Sequence, residues 1–275
     1  MITGNIKKMA SRVSADGKVH YQLNLADTSI EMNALLGQKV SLNFDGSIQC
    51  VNCARPTKKS FSQGFCFPCF KKLAACDTCI MSPEKCHHHL GTCREPEWAQ
   101  KYCMQSHYVY LANSSGIKVG ITRGDQLPTR WIDQGATQGR AIFSVQNRRM
   151  SGLVETLFKQ EVADKTNWRN MLKGNADDLD LEREQERLIS ILGEGLDSLQ
   201  SEFGIQSITD LSEENETHSF EYPVLSFPTK VVSINAEKTP LVEGTLLGIK
   251  GQYWLLDTGV INIRKYTGYQ VSFSQ

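Results

Sequence analysis

A chain of 275 residues has room for one large domain or two to three small ones. Its 40% hydrophobic and 22% charged residues are those of an ordinary globular protein, which excludes a disordered or fibrous chain. Formal net charge is zero, which argues against wholesale electrostatic capture of nucleic acid but not against a local patch, and no apolar run approaches the ~18 residues that span a bilayer.

The first residues, Met1-Ile2-Thr3-Gly4-Asn5-Ile6-Lys7-Lys8, carry no apolar core of a signal peptide, so the chain is expected to stay in the cytoplasm. Residues 1–49 read as short strands. Val19 to Leu25 and Val40 to Phe44 alternate in polarity, and Asp16-Gly17 and Asp45-Gly46 are turn dipeptides.

All nine cysteines fall between Cys50 and Cys103. Cys50-Val51-Asn52-Cys53 is followed, after twelve residues, by Cys66-Phe67-Pro68-Cys69. Each C-x-x-C turn offers two thiolates to one ion, and two such turns close a tetrahedron around Zn²⁺. Where thiols stay reduced, such pairs bind metal rather than form disulfides. Scattered core cysteines, the ordinary alternative, do not explain the paired spacing. A second zinc site is expected at Cys76, Cys79, Cys86 and Cys93, with His89 or Cys103 able to replace one ligand. Residues 50–104 are too poor in periodicity to bury a core, so metal ligation supplies the folding energy. Phe61, Phe65, Phe67 and Phe70 then cover the metal, or stack on bases beside the lysines that flank them.

Residues 105–205 form the second informative stretch. His107 to Ala112 and Ile117 to Thr122 are strand-like and flank a turn, Asn113-Ser114-Ser115-Gly116, so they make a hairpin. A turn of residues 113–115 puts Tyr110 opposite Lys118, on one face; a turn of 113–116 puts it opposite Val119. Ala141 to Val145 is a further strand. Met150, Leu153, Val154, Leu157, Phe158 and Val162 then follow helical spacing. Glu155 lies at the margin of that stripe, roughly 60° from Phe158, and so borders the core. A charged helix is expected from Leu179 to Leu199. Residues 220–275 return to Gly-bounded strands that read as a small barrel, joined to the N-terminal strands in one β module.

Charge is uneven along the chain. Lysines and arginines gather in the middle, and acidic residues later, at Asp177 to Glu186 and Glu213 to Glu216. A basic centre steers a polyanion to one face. The candidate nucleic-acid contacts are Lys58, Lys59, Lys71, Lys72, Arg123 and Arg140, against the ordinary alternative of solvated surface charge.

Tyr108-Val109-Tyr110, Lys118-Val119-Gly120, Arg130 and Glu155 together resemble the ordered landmarks of the GIY-YIG endonuclease superfamily, over about 65 residues. The cysteine array, Gly91 to Trp98, Lys118 to Arg123 and Arg130 to Ala136 resemble, over most of the chain, a prokaryotic family known as domain of unknown function 2797. The nuclease resemblance implies that Glu155 holds Mg²⁺, that Arg130 neutralises charge on a phosphate, and that Tyr110 orients or deprotonates the attacking water. Lys118 stands where that pattern has a Tyr; it binds phosphate but removes one candidate base.

These readings give an α+β protein: a β module from both termini, a zinc-binding segment, and a GIY-YIG-like α/β core. The leading function is nucleic-acid binding, with the core a metal-dependent or degenerate nuclease. The rival is a non-catalytic zinc adaptor on RNA, a ribosome or a protein partner. No membrane partner is expected.

Overall fold

Strands from the two ends of the chain alternate within one sheet. The computed structural model describes residues 1–275. Its first strands are β1 (Ile2–Asn5), β2 (Ala10–Val13), β3 (Val19–Leu25), β4 (Thr28–Glu31) and β5 (Lys39–Ile48). Three short helices follow, α1 (Phe67–Lys72), α2 (Thr78–Met81) and α3 (Pro96–Tyr102). The central part holds β6 (His107–Asn113), β7 (Ile117–Arg123), α4 (Thr129–Asp133), β8 (Gln138–Val145), α5 (Arg148–Phe158), α6 (Trp168–Met171) and α7 (Leu181–Phe203). Then come β9 (Ile208–Asp210), β10 (His218–Ser219), β11 (Leu241–Lys250), β12 (Tyr253–Leu256), β13 (Gly259–Asn262) and β14 (Tyr269–Ser274).

The six-stranded antiparallel sheet has the order β1-β14-β5-β11-β12-β13. Alternation in β3 and β14 puts Tyr21, Leu23, Val271 and Phe273 inward, and these join Trp254 and Tyr266 in the larger core. Asp45-Gly46 is not a hairpin turn. It lies inside β5 as a bulge, where pairing jumps from Phe44↔Val271 to Ile48↔Tyr269. Gly46 supplies the positive φ of +92° that the extra residues need.

The central sheet has the order β10-β8-β6-β7, with β9 added on β8. Both of its faces are covered. Val109, Leu111, Val119 and Ile121 pack on Val154 and Phe158 of α5 and on Leu188 and Leu192 of α7. On the other face Tyr110 and Trp131 enter the core of the terminal sheet. The hairpin register pairs Asn113 with Ile117 and Tyr110 with Gly120. The connecting turn is therefore Ser114 to Gly116, and the partner of Tyr110 lies two residues beyond the first expectation and one beyond the second. Tyr110 and Lys118 still share a face, as diagonal rather than opposite neighbours.

Candidate metal centre and basic pocket

The thiolates of Cys50, Cys53, Cys66 and Cys69 all lie within 4.8 Å of one another. Cys53 Sγ and Cys66 Sγ are 3.7 Å apart. Four sulfurs at ~2.3 Å from one Zn²⁺ stand about 3.8 Å apart, so the four-cysteine cluster fits a zinc site. Two donors steady the sulfurs: the Cys66 N–H reaches Cys50 Sγ at 3.2 Å and Asn52 Nδ2 reaches Cys69 Sγ at 3.5 Å. N–H donors aimed at sulfur favour the thiolate, the form a metal takes.

The second set of cysteines is arranged differently from the expected quartet. The side chains that converge within 4.8 Å are Asp77, Cys79 and His87; Cys76, Cys86 and Cys93 do not join that group, and neither does His89 or Cys103. Asp77 is also fixed by Arg94, whose Nε is 2.9 Å from its Oδ2. Spacing alone missed this grouping because Asp77 and His87 lie beside cysteines and read as their neighbours.

A cavity of about 470 Å³ opens where the cysteine segment, the central sheet and the terminal sheet meet. Ile80, Met81 and Pro83 form its cysteine-segment side. The central part contributes Arg123, Arg130, Arg148, Glu155, Lys159, Asp164 and Lys165, and the terminal module Lys8 and Arg264. With Asp133, this makes seven cationic side chains against three carboxylates. Lys8 pairs with Asp133. Lys159 Nζ bridges Glu155 Oε2 at 3.2 Å and Asp164 Oδ2 at 3.4 Å. Arg130, Arg148, Lys165 and Arg264 have no carboxylate within 4.0 Å, which leaves a net positive cavity. The buried Nε atoms of Arg130 and Arg148 have no hydrogen-bond partner. A buried guanidinium N–H without an acceptor costs desolvation energy that an incoming anion would recover.

Each residue arrives there for a local reason. Asn147 caps α5, its Oδ1 accepting the Met150 N–H at 3.0 Å, and the helix then places Glu155 at the cavity wall. The Glu155 side chain is 12% exposed, and burial raises its pKa against the opposing pull of Lys159. The Val119 N–H donates to Ala163 O at 2.9 Å along the open edge of β7, which carries Asp164 to the same wall.

Tyr110 and Lys118 stand behind the wall rather than on it. Tyr110 is fully buried and its hydroxyl donates to Gln134 Oε1 at 3.1 Å. Its pKa is raised by burial, with the Arg130 guanidinium beside it pulling the other way. Lys118 is 4% exposed and has no carboxylate within 4.0 Å. Burial, and then the Arg130 charge, bring its pKa down to about 8, while Glu155 and Asp164 oppose the fall.

The expected nucleic-acid contacts divide. Lys58, Lys59, Lys71 and Lys72 are exposed on the cysteine segment, and Arg123 lines the cavity. Arg140 is a correction. Its guanidinium is buried and engaged within the fold, with Nε donating to Gln185 Oε1 at 2.7 Å and Nη2 to Ser212 O at 2.9 Å. It points to α7 because Leu111, its partner across β6, belongs to that face of the sheet. Arg140 fastens β8 to α7 and offers nothing to a ligand. His107, open to several roles from sequence, is buried with Nδ1 2.7 Å from Gln105 O. Sequence reading missed Lys8 and Arg264 altogether, since nothing local marks them and only the pairing of the two chain ends brings them to the cavity.

No helix is long and apolar enough to cross a membrane. No curated protein and no solved structure matches this chain. A family model does match, over residues 37–271, a span that takes in the four-cysteine cluster, the central sheet and most of the terminal sheet: the chain belongs to DUF2797, a family described as a protein of unknown function.

Proposed function

We propose that the protein binds nucleic acid, seating a backbone phosphate in the basic cavity, and that the same cavity hydrolyses a phosphodiester with a divalent ion. The observation that carries this reading is the buried, unpartnered Nε–H of Arg130 in a net positive cavity beside Glu155. A phosphate there would meet the free N–H of Arg130 and the charges of Arg148, Lys165 and Arg264. Lys118, behind the wall, adds a charge that partner carboxylates do not cancel.

Glu155 and Asp164 already hold one cation between them, the Lys159 ammonium. If Lys159 swings aside, the two carboxylates offer oxygen ligands suited to Mg²⁺. An ion held there would polarise the phosphodiester and stabilise its leaving oxygen. Arg130 would take up charge growing on the phosphate. Tyr110, buried and with its pKa raised, keeps its proton and orients Gln134 rather than acting as the base.

The second reading is a non-catalytic adaptor, favoured by the Lys159 bridge, which occupies the site an ion would need. One experiment separates them. Labelled DNA and RNA oligonucleotides are titrated with protein over a salt series, then incubated with Mg²⁺. The nuclease reading expects binding that weakens as salt rises, loss of binding in Arg130→Gln, and strand scission abolished in Glu155→Ala with binding kept. Binding without scission leaves the adaptor. Binding that ignores salt overturns both.

A further inference from the structure

The first half of the cysteine segment is a stretch of chain without acidic residues that the cavity does not use. Between Asp45 and Asp77 there is no acidic residue, while Arg55, Lys58, Lys59, Lys71 and Lys72 are present. A Zn²⁺ held by four thiolates contributes about −2, so this stretch stays near +3 once loaded. Hence its excess positive charge survives metal binding.

Four phenylalanines lie on this stretch, and three of them, Phe61, Phe67 and Phe70, form a cluster. Phe61 stacks on Phe70 with ring centroids 5.5 Å apart and meets Phe67 at 5.4 Å. Phe67, set between the ligands Cys66 and Cys69, is 54% exposed, where a zinc-covering side chain would be buried. Lys59 Nζ lies 5.4 Å from the centre of the Phe61 ring. The loop between Phe61 and Phe65 is joined to the cavity wall through Arg264, which lines the cavity and donates from Nε to Gln63 Oε1 at 2.7 Å. Arg264 thus links the cavity to the loop that Phe61 begins.

We propose that Phe61, Phe67 and Phe70 form a stacking platform for the bases of single-stranded nucleic acid, continuous with the phosphate cavity. It rests on the nucleic-acid reading above and adds the substrate class, a single strand rather than a duplex. The chemistry is specific to that class. Duplex bases hide their faces in the stack, whereas a single strand offers both a π-face to Phe67 and phosphates to the lysines around it. A protein partner matching the surface would need acidic and apolar groups together, and is treated as an outcome of the test.

The test uses the full zinc-loaded chain and labelled single strands of DNA and of RNA, roughly a dozen nucleotides long, beside a hairpin duplex of equal charge. The variants are Phe67→Ala, Phe67→Trp and Arg130→Gln, each checked for unchanged zinc content. One stacked base is worth a factor of roughly five or more in affinity. Phe67→Ala is expected to lose that factor on single strands, with duplex affinity within about two-fold, and Phe67→Trp to restore it. DNA and RNA arms that differ tell whether the 2′-hydroxyl is also read. An unchanged single-strand affinity in Phe67→Ala, or an equal loss on duplex, overturns the platform. If Arg130→Gln weakens every nucleic acid while Phe67→Ala weakens none, the platform falls and the cavity reading stands. If the wild type binds no nucleic acid, both fall; a protein ligand displaced by Phe67→Ala alone would then mark the surface as a protein-docking site.

Discussion

Lys118 is the side chain whose charge is most sensitive to its surroundings. Its pKa of about 8 in the free protein should rise when a phosphate enters the cavity, so binding takes up protons above pH 8. Affinity for an oligonucleotide should therefore fall as pH rises through and beyond about 8. Lys118→Met should flatten that fall and bind more weakly by on the order of 1 kcal/mol, read by anisotropy across the pH range. His107 gives the opposite kind of test, on stability. Burial brings its pKa from 6.5 to about 4, so the folded chain keeps it neutral while the unfolded chain protonates it. The sign follows: stability is intact above pH 6.5 and is lost as pH falls toward 4, by at most roughly 3 kcal/mol. Denaturant melts of His107→Gln should show a shallower slope in that window; an equal slope would remove His107 as the cause. The four ligands Cys50, Cys53, Cys66 and Cys69 were legible from spacing alone, because a two-residue gap between thiolates already implies the geometry. Arg140 was misread because sequence gives charge but not which face of a strand carries it, and that depends on the register of β8 against β6.

Helix α5 is where the cysteine segment meets the central sheet. Its Gly152 lies against the turn Pro83 to Lys85, and a Cβ added there would clash with the Glu84 backbone nitrogen. Arg148, one turn earlier, donates from Nη2 to Ile80 O at 2.7 Å and so ties the same two parts. Gly152→Ala must push backbone rather than a flexible side chain, so a loss of about 1–3 kcal/mol is expected. Thermal melting checks it, and oligonucleotide affinity should fall too, because Pro83 and Glu155 wall the same cavity. A variant as stable as the wild type would show that this contact is loose. The helix itself was readable from its apolar spacing, and so was the marginal place of Glu155. Gly152 in mid-helix carried no such signal, because the reason for a missing side chain is a partner some seventy residues away. The hairpin of β6 and β7 shows the same limit: its existence was legible and its register was not, since Asn113 to Gly116 permit several turns.

At the scale of the molecule, apolar packing is unevenly shared. The six-stranded and central sheets share a large apolar core, whereas residues 50–76 bury few large apolar side chains, so a metal in the four-cysteine cluster is expected to hold them. Chelation should lower the melting temperature by roughly 5 °C or more and expose this segment to protease first, while far-UV signal from the sheets persists. Protein purified without added metal should carry zinc, and an identical digestion pattern with and without chelator would exclude a structural role for the four-cysteine cluster. Alternating strands at both chain ends pointed to a β module, but how they interleave was not legible, because pairing partners two hundred residues apart leave no local trace. That interleaving governs how the chain is made. Strand β5, complete by residue 48, has both neighbours, β11 and β14, beyond residue 240. As the ribosome synthesises the chain, β2, β3 and β4 can pair with one another at once, whereas β1 and β5 emerge with open edges and wait for strands some two hundred residues later. An open edge of β5 is a template for pairing with another chain until β11 and β14 arrive to cover it.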